Sequence, residues 1–261
     1  MKARHKILLL PVILIVWLST NAFDWRYQPD ANLGVDLVMI DPGHGGKDPG
    51  AIGVTKVYEK NVALNISKEV ARLINVNKNG MNAALTRSDD RFVGLYDRAK
   101  LANQKNAALF VSVHANSASN HSANGTETFA MGMHKNDANL EVMKRENSVI
   151  LMEENHKEKY DGFDPTCEEA TIIFKLQQHA YVKQSLALAR LVEDQFQTDV
   201  KRVSRGVKQA GFLVLWKTKM PSVLVEAGFL SNKSDETFLK SKEGQRAMAA
   251  AIYRAVYKYK H

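Results

Sequence analysis

Cysteine is almost absent. Cys167 is the only one in 261 residues, so no disulfide within the chain can brace the fold and its core must do so. No internal repeat is visible, and no basic stripe interleaved with aromatics marks a nucleic-acid groove. Long apolar runs are missing too. The longest, Ile7 to Leu18, falls short of the roughly 20 residues that a membrane span needs. With 45% hydrophobic and 25% charged residues, the chain has the make-up of a globular protein with a full core, and one domain is expected.

The apolar run follows Lys2, Arg4 and Lys6 and leads into Ser19, Thr20 and Ala22. That order reads as an export signal over residues 1–22, removed in the mature protein, followed by a short linker over residues 23–34. No cysteine borders the run to accept a lipid, so no stable membrane anchor is expected after cleavage. Formal charge is +8; without the three N-terminal cations, 33 basic residues face 28 acidic ones, an excess of +5. So modest and dispersed an excess excludes a nucleic-acid partner but suits an anionic polymer such as a cell wall.

Beyond the linker, short apolar runs alternate with amphipathic helices. Strands are predicted at 35–41, 82–87, 107–113, 126–131 and 222–226, with a weaker one at 211–216. Val62, Ile66, Val70 and Leu73 share one helical face after Glu59, Gly80 supplies a stop, a second helix covers 95–104, and a last one carries Met248, Ile252, Val256 and Tyr259. Near-continuous apolar strands separated by helices imply an α/β fold, an open, mostly parallel twisted sheet with helices on both faces.

Sites on such sheets form just beyond the carboxyl ends of the strands. His44 follows the first strand within "IDPGHGGKDPG", His114 ends "LFVSVHANS", and Glu226 ends "PSVLVEAGFLSN". Glu59 opens the first helix on the same side. Two imidazoles and one carboxylate make a three-ligand zinc site with a fourth position for water. Their spacings of 15 and 55 residues require each ligand to come from a different element, which excludes the single-helix arrangement. Taken singly, Glu59 also suits a helix N-terminus and His114 a hydrogen-bonded core position. Glu226 is harder to dismiss, because a carboxylate closing an apolar strand is expensive to bury without a partner or a task. Asp41 reads as a structural group or as one that orients an imidazole by accepting its other N–H. Arg87 and Arg98 read as members of structural ion pairs. Asn116, two residues past His114, is a candidate substrate contact.

"MIDPGHGGKDPGAIG", "EKNVALNISKEVARLI", "LTRSDDRFVGLYDRAKLAN", "LFVSVHANS" and "PSVLVEAGFLSN" together resemble the zinc-dependent N-acetylmuramoyl-L-alanine amidases of bacterial cell walls, in order along residues 35–259. The resemblance implies zinc ligands at His44, Glu59 and His114 and a catalytic base at Glu226. It also implies peptidoglycan as substrate, cut at the amide between N-acetylmuramic acid and L-alanine, in the periplasm or cell envelope. The rival readings are a zinc peptidase of related fold and a catalytically dead wall-binding module, but no expected ligand or base is missing.

The catalytic domain is expected over residues 35–261, with a helical insertion at about 134–180. In some relatives such an insertion covers the zinc and donates a carboxylate until an activator protein pulls it away. Glu153, Glu154 and Glu158 are the candidates for that carboxylate. Downstream, Val182, Leu186, Ala189, Val192 and Phe196 predict a helix packed on the sheet.

Overall fold

The computed structural model describes residues 34–77, 79–133, 136–164 and 181–261. The expected export signal and all of the linker but Gly34 lie outside the described residues, as do 134–135 and 165–180 of the insertion. No helix among the described residues is long and apolar enough to cross a membrane.

Six strands, β1 (Leu37–Pro42), β2 (Asn82–Leu85), β3 (Leu109–Asn116), β4 (Thr126–Met131), β5 (Ser204–Ala210) and β6 (Ser222–Phe229), form one sheet in the order β2-β1-β3-β6-β4-β5. β2, β1, β3 and β6 run parallel, whereas β4 is antiparallel to β6 and carries β5 parallel to itself. The open, mostly parallel α/β sheet expected from the sequence is thus present. β3 and β6 are buried at every position, which is why they read as continuous apolar runs.

Because side chains alternate across a strand, the sheet has two distinct faces. Val38, Ile40, Val111, Val113, Val223 and Val225 pack on α1 (Glu59–Asn77), α5 (Val182–Thr198) and α8 (Lys242–Lys260). Met39, Phe110 and Leu224 face a second cluster beside α2 (Leu95–Gln104), α3 (Asp137–Asn147) and α6 (Leu213–Trp216). From the insertion, α3 and the 3₁₀ turn after it, Ser148–Met152, give this cluster Val142, Met143, Val149 and Ile150. A four-residue helix α4 (His156–Lys159) follows, and α7 (Lys233–Lys240) precedes α8. By parity Asp41, His114 and Glu226 fall on this second face, and register places His114 beside Glu226.

Two expectations fail here. The weak strand at 211–216 is instead α6, buried at all four positions, where periodicity cannot separate helix from strand. The missed strand is β5, SRGVKQA, half exposed and paired to β4 at the sheet edge; its ladder makes it a strand where its composition does not.

Two buried arginines hold the loop after β1. Arg98 donates to Asp41 Oδ1 at 2.9 Å, to the Pro42 carbonyl at 2.6 Å and to the His44 carbonyl at 2.8 Å. Arg87 Nη2 donates to the Gly43 carbonyl at 2.6 Å and the Lys60 carbonyl at 2.9 Å. Arg98 is therefore in an ion pair, as expected, whereas Arg87 binds backbone carbonyls. Asp41 accepts from Thr86, Ser112 and Arg98, so of its two expected roles it takes the structural one, anchoring the arginine, and orients no imidazole. The clamp matters because His44 sits at φ 59°, the left-handed region that a residue with a Cβ occupies at a penalty.

Burial raises the Asp41 carboxyl, but Arg98 and the two hydroxyls outweigh it and hold the group below its ordinary 3.8. A carboxylate with a depressed folded-state pKa contributes stability that is present above 3.8 and is lost as pH falls through the folded value. Arg98→Ala leaves Asp41 buried without its cation and is expected to cost about 3–5 kcal/mol at neutral pH. Urea unfolding measures this; a loss under about 1 kcal/mol, the size of an exposed pair, contradicts the clamp.

Candidate metal centre

His44, Glu59, His114 and Glu146 bring one ligand atom each to within 4.8 Å of one another, and all four are buried. His44 Nε2 lies 3.0 Å from Glu59 Oε1 and 3.2 Å from Glu146 Oε2. His114 Nδ1 stands at the same two distances, 3.0 and 3.2 Å, from those oxygens. Metal–ligand bonds of roughly 2.0–2.2 Å in a tetrahedron put donor atoms about 3.3–3.6 Å apart. The four imidazole–carboxylate separations are slightly shorter than that, and all four atoms lie within 4.8 Å of one another, close enough to share one ion.

Each donor comes from a different element and is fixed by it. His44 is held by the clamped loop, and Asp48 Oδ2 lies 2.8 Å from its Nδ1, which leaves Nε2 facing the centre. Glu59 opens α1; its Oε2 accepts from the Ala51 N–H at 2.7 Å and its Oε1 from the Ala115 N–H at 2.9 Å. His114 is the last imidazole of β3. A Cβ at Gly43 would lie 2.4 Å from its ring, and one at Gly50 2.6 Å from the His44 ring, so only glycine admits these two approaches.

The donor set asks for a cation. His44 Nε2 and Glu146 Oε2 are buried without a hydrogen-bond partner, although each lies near an opposite number. Two carboxylates and two neutral imidazoles carry two negative charges, which one divalent ion cancels. Without it the imidazoles take up the charge. Burial lowers the His44 pKa, but Glu59 and Glu146 raise it well above 6.5. For His114 burial is again outweighed, by Glu146 and Glu59, and its pKa rises to about 9. Burial raises Glu59, yet His44 draws it down to about 2.

Glu226 stands on β6 beside His114, 0% exposed, with neither carboxylate oxygen hydrogen-bonded. Burial first, then the Glu146 and Glu59 charges, push its pKa well above 4.5. Asn116 is 1% exposed; it donates to Glu127 at 3.4 Å and accepts from Arg145 at 3.0 Å. The carboxylate that the insertion brings to the centre is Glu146 on α3, and none of the three expected. Glu153 is turned away to accept from the Leu95 N–H at 2.7 Å and the Tyr160 hydroxyl at 2.7 Å, capping α2. Glu154 and Glu158 are exposed.

Glu146 did carry a signal. It lies on the stripe made by Val142, Met143, Val149 and Ile150, a lone carboxylate on an apolar helical face. Asp48 follows His44 by one helical-turn spacing within a loop, where spacing says nothing.

Ligand nitrogens must be deprotonated to bind a cation. Adding a divalent metal to metal-free protein near pH 7.5 is therefore expected to release about two protons per chain. Calorimetry in buffers of differing ionisation enthalpy counts them; buffer-independent heats contradict the assignment of His44 and His114.

The family model described as N-acetylmuramoyl-L-alanine amidase matches residues 38–258. The chain is 35% identical over 231 residues to the N-acetylmuramoyl-L-alanine amidase AmiA of Escherichia coli (strain K12), covering 87% of this chain and 77% of that one. Among solved structures it resembles the N-acetylmuramoyl-L-alanine amidase AmiC2 of Nostoc punctiforme, with TM-score 0.65, 34% identity and coverage of 87% and 97%. It also resembles the CwlD amidase of Clostridioides difficile, solved in complex with the GerS lipoprotein, with TM-score 0.64, 25% identity and coverage of 86% and 98%. A match over almost all of the described chain, on the sheet that carries the His44, His114 and Glu226 motifs, settles the kinship: the chain belongs to the N-acetylmuramoyl-L-alanine amidase family, hydrolases of peptidoglycan.

Proposed function

We propose that the cation is zinc, held by His44, Glu59 and His114, that Glu226 is the catalytic base, and that Glu146 takes the fourth position when α3 is in place. The observation that carries this reading is the convergence of four buried nitrogen and oxygen donors beside a buried carboxylate with no hydrogen-bond partner. Mixed imidazole and carboxylate donors suit zinc.

Zinc, when bound, lowers the pKa of a water from 15.7 to roughly 7 and polarises a carbonyl oxygen. Glu226 takes the proton from the attacking water at its carboxylate and later delivers it to the leaving amine of L-alanine. The buried walls around His114 and Glu226 exclude bulk water, so fixed charges act at low dielectric. The substrate is peptidoglycan, reached after export by the signal over residues 1–22, in the periplasm or cell envelope.

With α3 seated, Glu146 fills the place that water and substrate need, so the described conformation is closed. Lifting α3 together with the 3₁₀ turn after it uncovers Val142, Met143, Val149 and Ile150, which are buried in the second cluster. Exposing such side chains is unfavourable by about 1.5–3 kcal/mol each, and a protein activator would offset this by covering them. That CwlD is solved with a lipoprotein partner supports a protein in that part.

Glu226→Ala is expected to keep its zinc while release of free stem peptide from purified peptidoglycan falls about 100- to 10,000-fold; undiminished release removes the base. Glu146→Gln is expected to raise release above that of the parent chain, and unchanged release rejects closure by α3.

A further inference from the structure

Arg145, the residue before Glu146, makes contacts that neither the cation nor the base requires. Its Nε donates to Glu146 Oε1 at 3.0 Å. Its Nη1 donates to the Ser117 carbonyl at 2.7 Å and its Nη2 to Asn116 Oδ1 at 3.0 Å. Nη2 also stands 3.8 Å from Glu226 Oε1. One planar guanidinium thus spans a row of acceptors beginning at the base and continuing along the segment after His114.

Asn116 also has contacts outside α3. Asn116 Nδ2 points to Glu127 at 3.4 Å, and Glu127 is in turn fixed by Arg205 and by Lys208 at 2.8 Å. Asn116 Oδ1 also accepts from the Ser117 N–H at 2.7 Å, which uses one of its two lone pairs. When α3 leaves, the other lone pair and the Ser117 carbonyl lose their donors next to Glu226. A peptide substrate carries the matching chemistry, since its backbone offers N–H donors at regular intervals. Glu226 serves the leaving nitrogen, so the next amide N–H of the stem falls to its neighbours.

We propose that Asn116 Oδ1 and the Ser117 carbonyl form a subsite for the stem-peptide amide N–H that follows L-alanine, and that Arg145 occupies this subsite in place of substrate when α3 is seated. The inference rests on the reading that α3 closes the site, and adds a second contact to it, one made to the substrate's position instead of the cation's.

The test uses the full chain, zinc-loaded and carrying Glu226→Ala to prevent turnover. Calorimetry measures binding of N-acetylmuramoyl-L-alanyl-D-isoglutamine and of its ester analogue, in which the N–H joining alanine to isoglutamine is replaced by oxygen. Arg145→Ala is expected to bind the amide probe about tenfold more tightly than the parent, the worth of one or two hydrogen bonds. The ester is expected to bind about tenfold more weakly than the amide in the variant and in the parent alike, because either probe enters only once α3 has left. Arg145→Lys, which keeps the charge without the fork, is expected to fall between. Glu146→Gln serves as the control for closure. If it tightens binding while Arg145→Ala does not, or if Arg145→Ala binds ester and amide equally, the subsite is overturned and closure stands; if neither variant tightens binding, closure itself fails. Hydrogen exchange of β3 amides, expected to match the parent, shows that Arg145→Ala has left the sheet intact; faster exchange there overturns the separation of α3 from the acceptors.

Discussion

Two carboxylates buried against two imidazoles set the terms for everything around them. Glu59 and Glu146 lie within 3.2 Å of His44 and His114, in an interior where unpaired charge is expensive. Protons on the imidazoles can balance the pair, and so can one divalent ion. Of the four contacts only His114 Nδ1 to Glu59 has hydrogen-bond geometry, and the Nε2 of His44 and Oε2 of Glu146 left over suit an ion.

The sheet exists, in this sense, to deliver those groups. Parallel β1, β3 and β6 end side by side, and alternation along each strand sends Asp41, His114 and Glu226 to one face. The loop carrying His44 cannot hold its left-handed backbone unaided. Arg87 and Arg98 bind the carbonyls from Pro42 to His44, and Asp41 holds Arg98. The chain "LTRSDDRFVGLYDRAK" therefore acts on the centre through the backbone of the loop, without touching the donors.

Much of this was legible in the sequence, for a physical reason. His114 and Glu226 each close an apolar run, where a polar group is conspicuous because burying it is costly. Glu59 stands at the start of a long amphipathic helix, and His44 in a loop too rich in glycine for a plain turn. Glu146 was overlooked because "NLEVMKREN" is crowded with charge, so its one inward carboxylate is hidden among outward ones. Glu153 misleads for the converse reason: it is buried, yet it caps α2. Which carboxylate meets the His44 imidazole, Asp41 or Asp48, is not legible, since the tertiary path of the loop decides it. β5 has no apolar pattern to read, and α6 is apolar on every side.

α3 supplies Arg145 and Glu146 together, one cation and one anion, so its departure leaves the net charge around Glu59 and Glu226 unchanged. Under the proposed closure, that balance would let the segment leave without stranding a charge, while its apolar residues hold it in the described position. The central claim is that one ion sits among the four donors. Anomalous diffraction at the zinc absorption edge from crystals of the zinc-loaded chain tests it most directly. The account predicts a single peak at roughly 2.0–2.2 Å from His44 Nε2, His114 Nδ1 and an oxygen of each of Glu59 and Glu146. A zinc-loaded crystal with no peak among them, or with its peak held by other residues, would contradict it.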